Sequence, residues 1–176
     1  MNIPGIGEFT PDEDVGGYAS EPIEVPMLGN QECTIFLEGY DDDDKPEEFL
    51  AAVRKLLAAD VSVLEAVQQE LFRYCEDVNS QRDPSDEDYL AIDSPEAVWD
   101  CIEFGDELYV TRRPHGDQGI YVSIECSCDW EPEHGLQIVL KNGERVTKVG
   151  MFDGHLSNAD SYADAALENV VYHPLR

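Results

Sequence analysis

Two short stretches hold most of the side chains that could do chemistry. Residues 126–135 read Cys-Ser-Cys-Asp-Trp-Glu-Pro-Glu-His-Gly, and residues 152–155 read Phe-Asp-Gly-His. Imidazole nitrogens beside carboxylates can bind a divalent ion, and the same groups can pass protons as general acid and base. His134 and His155, with Asp153 or Glu133, are therefore the candidate metal or acid–base set. Trp130 among Glu131, Glu133 and His134 also has the make-up of an interface centre, where an aromatic anchors a partner and charges orient it. The plainest alternative is a hydrogen-bonded corner in which both imidazoles cap exposed backbone and Trp130 packs underneath. All three readings draw on Trp130, Glu131, Glu133, His134, Asp153, Gly154 and His155. None of them yet names a catalytic residue, a metal ligand or a cofactor.

The cysteines are weaker candidates. Cys126-x-Cys128 is half of a possible zinc site, but no second Cys pair or Cys-His pair stands at ligand spacing. On a strand, Ile120, Val122, Ile124, Cys126 and Cys128 fall on one face and Tyr121, Ser123, Glu125 and Ser127 on the other. The thiols thus continue an apolar face, where a free Cys packs as a small hydrophobe. Cys128 lies six residues from His134 but points to the core, which weakens a thiolate–imidazole reading.

The elements that must position both stretches are strands. Residues 107–113, 119–129, 135–141 and 144–150 are four strand candidates, and Asn142-Gly143 is a strong hairpin signal between the last two. A two-residue turn there sets Lys141 opposite Glu144, Val139 opposite Val146 and Leu136 opposite Val149. That register places residues 129–134 and 152–155 beyond the same end of the hairpin, with His134 near Gly150–His155.

Upstream, residues 22–28 and 32–40 alternate around a Gly-Asn-Gln turn and suggest another hairpin. Asp41–Asp44 run into a helix whose first residue is Pro46, so the acids face the positive end of its dipole; an acidic metal site is the sharper reading. Phe49, Val53, Leu56 and Leu57 form the apolar stripe of that helix. A second helix is expected from Ser62, with Glu65 completing a capping box and Leu64, Val67, Leu71, Cys75 and Val78 buried. Residues 94–104 reopen a short helix at Ser94-Pro95. Residues 1–20 read as a loosely ordered acidic segment with a possible short strand at 6–10, and residues 80–93 as a flexible acidic loop. Within a single domain of 176 residues, this order implies an α+β fold: a mainly antiparallel sheet of about six or seven strands, two central helices and one short helix.

Charge narrows the function. The chain has 39 acidic and 11 basic residues, a net charge of −28. Residues 1–44 hold twelve acids and no Lys or Arg. Nucleic acid and anionic membranes are bound chiefly through Lys and Arg, so neither is an expected partner; a basic protein is. No secretory leader pattern opens the chain and no run approaches the ~20 apolar residues of a membrane span, so the reading is a cytoplasmic protein. Five cysteines at irregular spacing fit free thiols in a reducing compartment.

Over residues 121–160 the chain resembles an uncharacterised bacterial domain family marked by a Cys-x-Trp-Glu-x-Glu-His-Gly-Leu-Gln segment followed by Asp-Gly-His-Leu. The matching positions are Cys128, Trp130, Glu131, Glu133, His134, Gly135, Leu136 and Gln137, then Asp153, Gly154, His155 and Leu156. The resemblance carries no activity and no catalytic residue. In size and charge such domains are also similar to the small immunity proteins encoded beside bacterial toxins. The expected function is a non-enzymatic, immunity-type protein that neutralises a basic toxin; the alternative is a metal-dependent enzyme or metal-binding protein centred on His134 and His155.

Overall fold

The computed structural model describes residues 1–86 and 89–174. β1 (Asn2–Ile3), β2 (Gly7–Asp12) and β3 (Gly17–Ser20) form an antiparallel meander, so the segment expected to be loosely ordered but for a short strand at 6–10 carries three paired strands joined by turns. The reason is burial: Ile3 and Phe9 reach the core at 3% and 0% exposure, enough to hold an otherwise polar segment in place. β4 (Ile23–Val25) pairs with β5 (Gln31–Glu38) as the alternation predicts, through a turn in which Gly29 and Asn30 take positive φ.

Residues 39–101 then cross over one face of the sheet. Their helices are α1 (Pro46–Ala58), α2 (Ser62–Glu65) and α3 (Gln68–Asn79), followed by a 3-10 segment at Pro95–Cys101 where a short helix was expected. Pro46 starts α1, and Glu47 and Glu48 in its first turn complement the dipole. The single helix expected from Ser62 is interrupted at Val67, whose φ of −117° is not helical. Asp60, rather than Ser62, caps α2, accepting the Ser62 N–H at 2.9 Å. The predicted stripe survives the break, since Leu64, Val67, Leu71, Cys75 and Val78 are all buried. Within the acidic loop expected over 80–93, Glu87 and Asp88 lie outside the described residues. Beside them the Asn79 amide clamps Leu90, donating to its carbonyl at 2.6 Å and accepting its N–H at 3.2 Å.

β6 (Ile102–Arg112) lies parallel to β5, as a long crossover permits, and antiparallel to β7 (Ile120–Cys128), which continues through β8 (Leu136–Lys141) to β9 (Arg145–Gly150). The architecture is α+β around one mostly antiparallel sheet of nine strands among the described residues, ordered β1-β2-β3-β5-β6-β7-β8-β9 with β4 beside β5. That exceeds the expected strand count because the N-terminal segment contributes three.

The sheet has two unlike faces. The first buries Ile35, Leu108, Val122, Ile124, Ile138 and Val149 against Phe49, Val53, Leu56 and Leu71 of the helices. The second carries one row straight across the strands: Ala19, Phe36, Tyr109, Ser123, Val139 and Lys148 are successive register partners. Ser123, Val139 and Lys148 are buried, whereas Ala19, Phe36 and Tyr109 are partly exposed. The C-terminal segment covers only half of this face.

Candidate functional site

β7 ends at Cys128 and the chain turns sharply. Glu131 is the pivot: its Oε1 accepts the Glu133 and His134 N–H groups at 3.3 Å each and lies 3.2 Å from His134 Nδ1. Gly135 closes the turn, donating to the Glu131 carbonyl at 2.9 Å. Only glycine fits there, because φ is +66° and a Cβ would stand 2.6 Å from the Cys126 carbonyl oxygen. Trp130 does not line a surface. It is 0% exposed and packs edge-on against Tyr74, centroids 5.8 Å apart, while the Tyr74 hydroxyl donates to the Gly135 carbonyl at 3.1 Å. The aromatic of the opening motif is the core anchor of the corner, which corrects its assignment as an interface centre.

The second cluster serves a different end. The hairpin turn spans Asn142, Gly143 and Glu144, so Lys141 pairs with Arg145 instead of Glu144. A bulge at Thr147 adds a further residue, leaving Ile138, not Leu136, opposite Val149. Asp153 accepts from the ammonium of Lys148 and takes the His155 N–H at 2.9 Å, with His155 Nδ1 3.4 Å away. Among the described residues no hydrogen bond, ion pair or shared ligand group joins His134 to Asp153 or His155. The one group of three or more His, Cys, Asp or Glu among them with ligand atoms within 4.8 Å of one another is Glu131, Glu133 and His134. Asp41–Asp44 are likewise partly spoken for. Asp43 binds Arg112 through two contacts, 2.5 and 2.9 Å, and that hydrogen bonding holds its carboxyl below the usual range.

His134 and Glu133 line an open groove of about 680 Å³ whose other wall the sequence reading missed. Between Phe104 and Leu108, β6 bulges: three residues, Gly105 to Glu107, face Glu125 alone. Gly105 is required because a Cβ would meet the Glu125 carbonyl oxygen at 2.5 Å, and the Gln31 amide pins the bulge by donating to the Phe104 and Gly105 carbonyls at 3.2 and 3.1 Å. The bulge turns Asp106 and Glu107 into the groove beside Glu103, Glu125 and Glu133, giving five carboxylates and no Lys or Arg along its lining. Phe-Gly-Asp-Glu in an otherwise regular strand is the one signal that could have found it.

A family model described as "Domain of unknown function (DUF6985)" matches residues 5–156. The chain belongs to this family. No curated protein and no solved structure matches it. The matched range holds the corner, the groove and the Asp153–Leu156 turn, and stops where the C-terminal segment crosses the second face.

That segment is held by charge. Arg113, 2% exposed, is gripped by Asp160 at 2.7 and 2.9 Å and by Glu168 at 2.5 and 2.9 Å. The Arg113 hydrogen bond keeps Asp160 below the usual carboxylate range. Lys148 donates to Gln137 at 2.9 Å and to the His155 carbonyl at 3.0 Å, and Gln137 donates to Ser123 at 2.8 Å. Burial lowers the Lys148 ammonium, although Asp153 opposes that shift. This second layer lies away from the groove, whose lining includes none of Arg113, Lys148, Asp153, Asp160 and Glu168. No helix among the described residues is long and apolar enough to cross a membrane.

Proposed function

We propose that this protein is a non-enzymatic binding module that takes a basic protein partner, in the manner of an immunity-type protein neutralising a cationic toxin. One observation supports it above the others: an open groove lined by Glu103, Asp106, Glu107, Glu125 and Glu133 without a cation. Five like charges on a surface raise a potential that speeds encounter with a basic protein and disfavours acidic ones. The fold holds these carboxylates on a pinned bulge and a capped corner, so little ordering is left for the binding event. The test is capture of partners by the full chain, followed by association kinetics. Cationic partners should bind more slowly as salt rises to physiological strength, and E103Q/D106N/E107Q/E125Q should remove most of that dependence. Capture of only neutral or acidic partners would overturn the reading.

The second reading is a metal site, narrowed to Glu131, Glu133 and His134 by their spacing. Zinc titration of the full chain against His134→Ala separates the two: stoichiometric binding lost in the variant supports the metal, and its absence leaves the groove as a protein surface.

A further inference from the structure

The uncovered half of the second sheet face carries a feature that charge alone does not explain. Phe36 and Tyr109 are direct register partners on β5 and β6. Their rings lie nearly parallel, 12° apart with centroids at 5.0 Å. Both are partly exposed, and among the described residues neither belongs to the two apolar clusters. The pair is edged by acids: the Tyr109 hydroxyl donates to Glu107 at 2.8 Å, and the charges of Glu125 and Glu38 also bear on that phenol. Tyr109 and Glu107 belong to the lining of the acidic groove, so ring pair and groove form one continuous surface.

From this juxtaposition we infer that the surface reads arginine: its occupant is an arginine-bearing segment of the basic partner, with a guanidinium stacked on the Phe36–Tyr109 platform and its N–H groups on Glu107 and Glu125. A guanidinium is planar and weakly hydrated, so it lies flat on an aromatic face and forks onto carboxylates, whereas an ammonium is a compact, strongly hydrated point charge. The molecule already builds this grouping internally. The Arg112 guanidinium sits 5.8 Å from the Phe49 ring centroid while Asp43 and Glu48 take its N–H groups. On the open face the aromatic and the two carboxylates are present, and the complementary cation would come from the partner. The inference rests on the acidic-module reading above and sharpens it from cationic to guanidinium-bearing.

Labelled hexa-arginine and hexa-lysine peptides, titrated into the full chain at physiological salt, provide the test. The arginine peptide should bind at least about fivefold more tightly, the scale of a stacked guanidinium. Phe36→Leu should bring the two affinities together, whereas Glu107→Gln with Glu125→Gln should weaken both peptides. Should Phe36→Leu fold poorly, the proton spectrum of the wild-type complex decides instead: arginine δ-methylene resonances should move upfield under the ring current. Equal affinity for both peptides, or an arginine preference that survives Phe36→Leu with no ring-current shift, would overturn the arginine reading while leaving the acidic module standing. Binding of neither peptide would remove both.

Discussion

Lys148 and Asp153 form an ion pair in which one charge is sealed and the other is not: the lysine side chain is 2% exposed, the aspartate 27%. The asymmetry decides which partner is more expensive to lose. Asp153→Asn strands an ammonium that cannot reach water, and breaking a buried pair in this way costs about 3–5 kcal/mol. Lys148→Met leaves a carboxylate that can turn outward, so it should cost clearly less. Urea unfolding of both variants checks the order; equal losses would mean that the C-terminal segment opens freely enough to hydrate Lys148.

Trp130 should behave as a core residue. Trp130→Ala empties a fully buried site against Tyr74 and should lower stability by about 3–5 kcal/mol. Partner binding measured well below the melting point should change little beyond what the loss of folded protein explains. A binding defect without a stability defect would reverse the assignment.

How far these sites were legible depends on range. Strand parity placed Cys126 and Cys128 on the core face correctly, because a period of two is a local property of β7. Register was not local. The three-residue turn at Asn142–Glu144 and the bulge at Thr147 shift the hairpin, and neither has a strong sequence mark. Trp130 among four polar neighbours looked like a surface residue, since nothing nearby in sequence shows that Tyr74 of α3 receives it. Lys148, Arg113, Asp160 and Glu168 escaped notice for the same reason: a buried charge is recognised by its partner, and these partners lie up to 55 residues away.

Acid should loosen the charged layer. Asp43, held down first by its hydrogen bond to Arg112, and Asp160, held down first by Arg113, have folded values below the unfolded one. Burial raises Asp153, but Lys148, Ser161 and the His155 N–H outweigh it and leave it lowered. A depressed carboxylate contributes stability above its unfolded value, about 3.9 for Asp, and loses it as pH falls through the folded value. The melting temperature should therefore drop below pH ~4, although relief of repulsion at net −28 works the other way at milder acidity. Asp160→Asn should shrink the acid drop; an unchanged drop would rule out the Arg113 cluster as its source.

The thiols should differ in reach. All five cysteines are free. Burial pushes Cys33 and Cys75 up to about 11 and Cys128 up to about 12, and raises Cys126 as well. Cys101 is half-buried where it ends the 3-10 segment and the chain enters β6. Native thiol titration near pH 8 should find Cys101 first, with the rest reacting only on unfolding, five in all. Rapid reaction of Cys126 or Cys128 would show that the corner opens.

Gly105 ties the fold to the groove most directly. Its missing Cβ lets the β6 bulge close against the Glu125 carbonyl, where an added methyl would sit at 2.5 Å from backbone oxygen. Backbone cannot swing aside as a side chain can, so Gly105→Ala must widen the β6–β7 spacing at the bulge, at a cost of about 1–3 kcal/mol. The same movement displaces Asp106 and Glu107, whereas Glu107→Gln changes charge and leaves the backbone alone. If the groove binds through pinned carboxylates, Gly105→Ala should weaken a cationic partner by raising the dissociation rate, and Glu107→Gln mainly by slowing association. A Gly105→Ala protein that loses stability yet binds with unaltered kinetics would show that the bulge serves the sheet and not the partner.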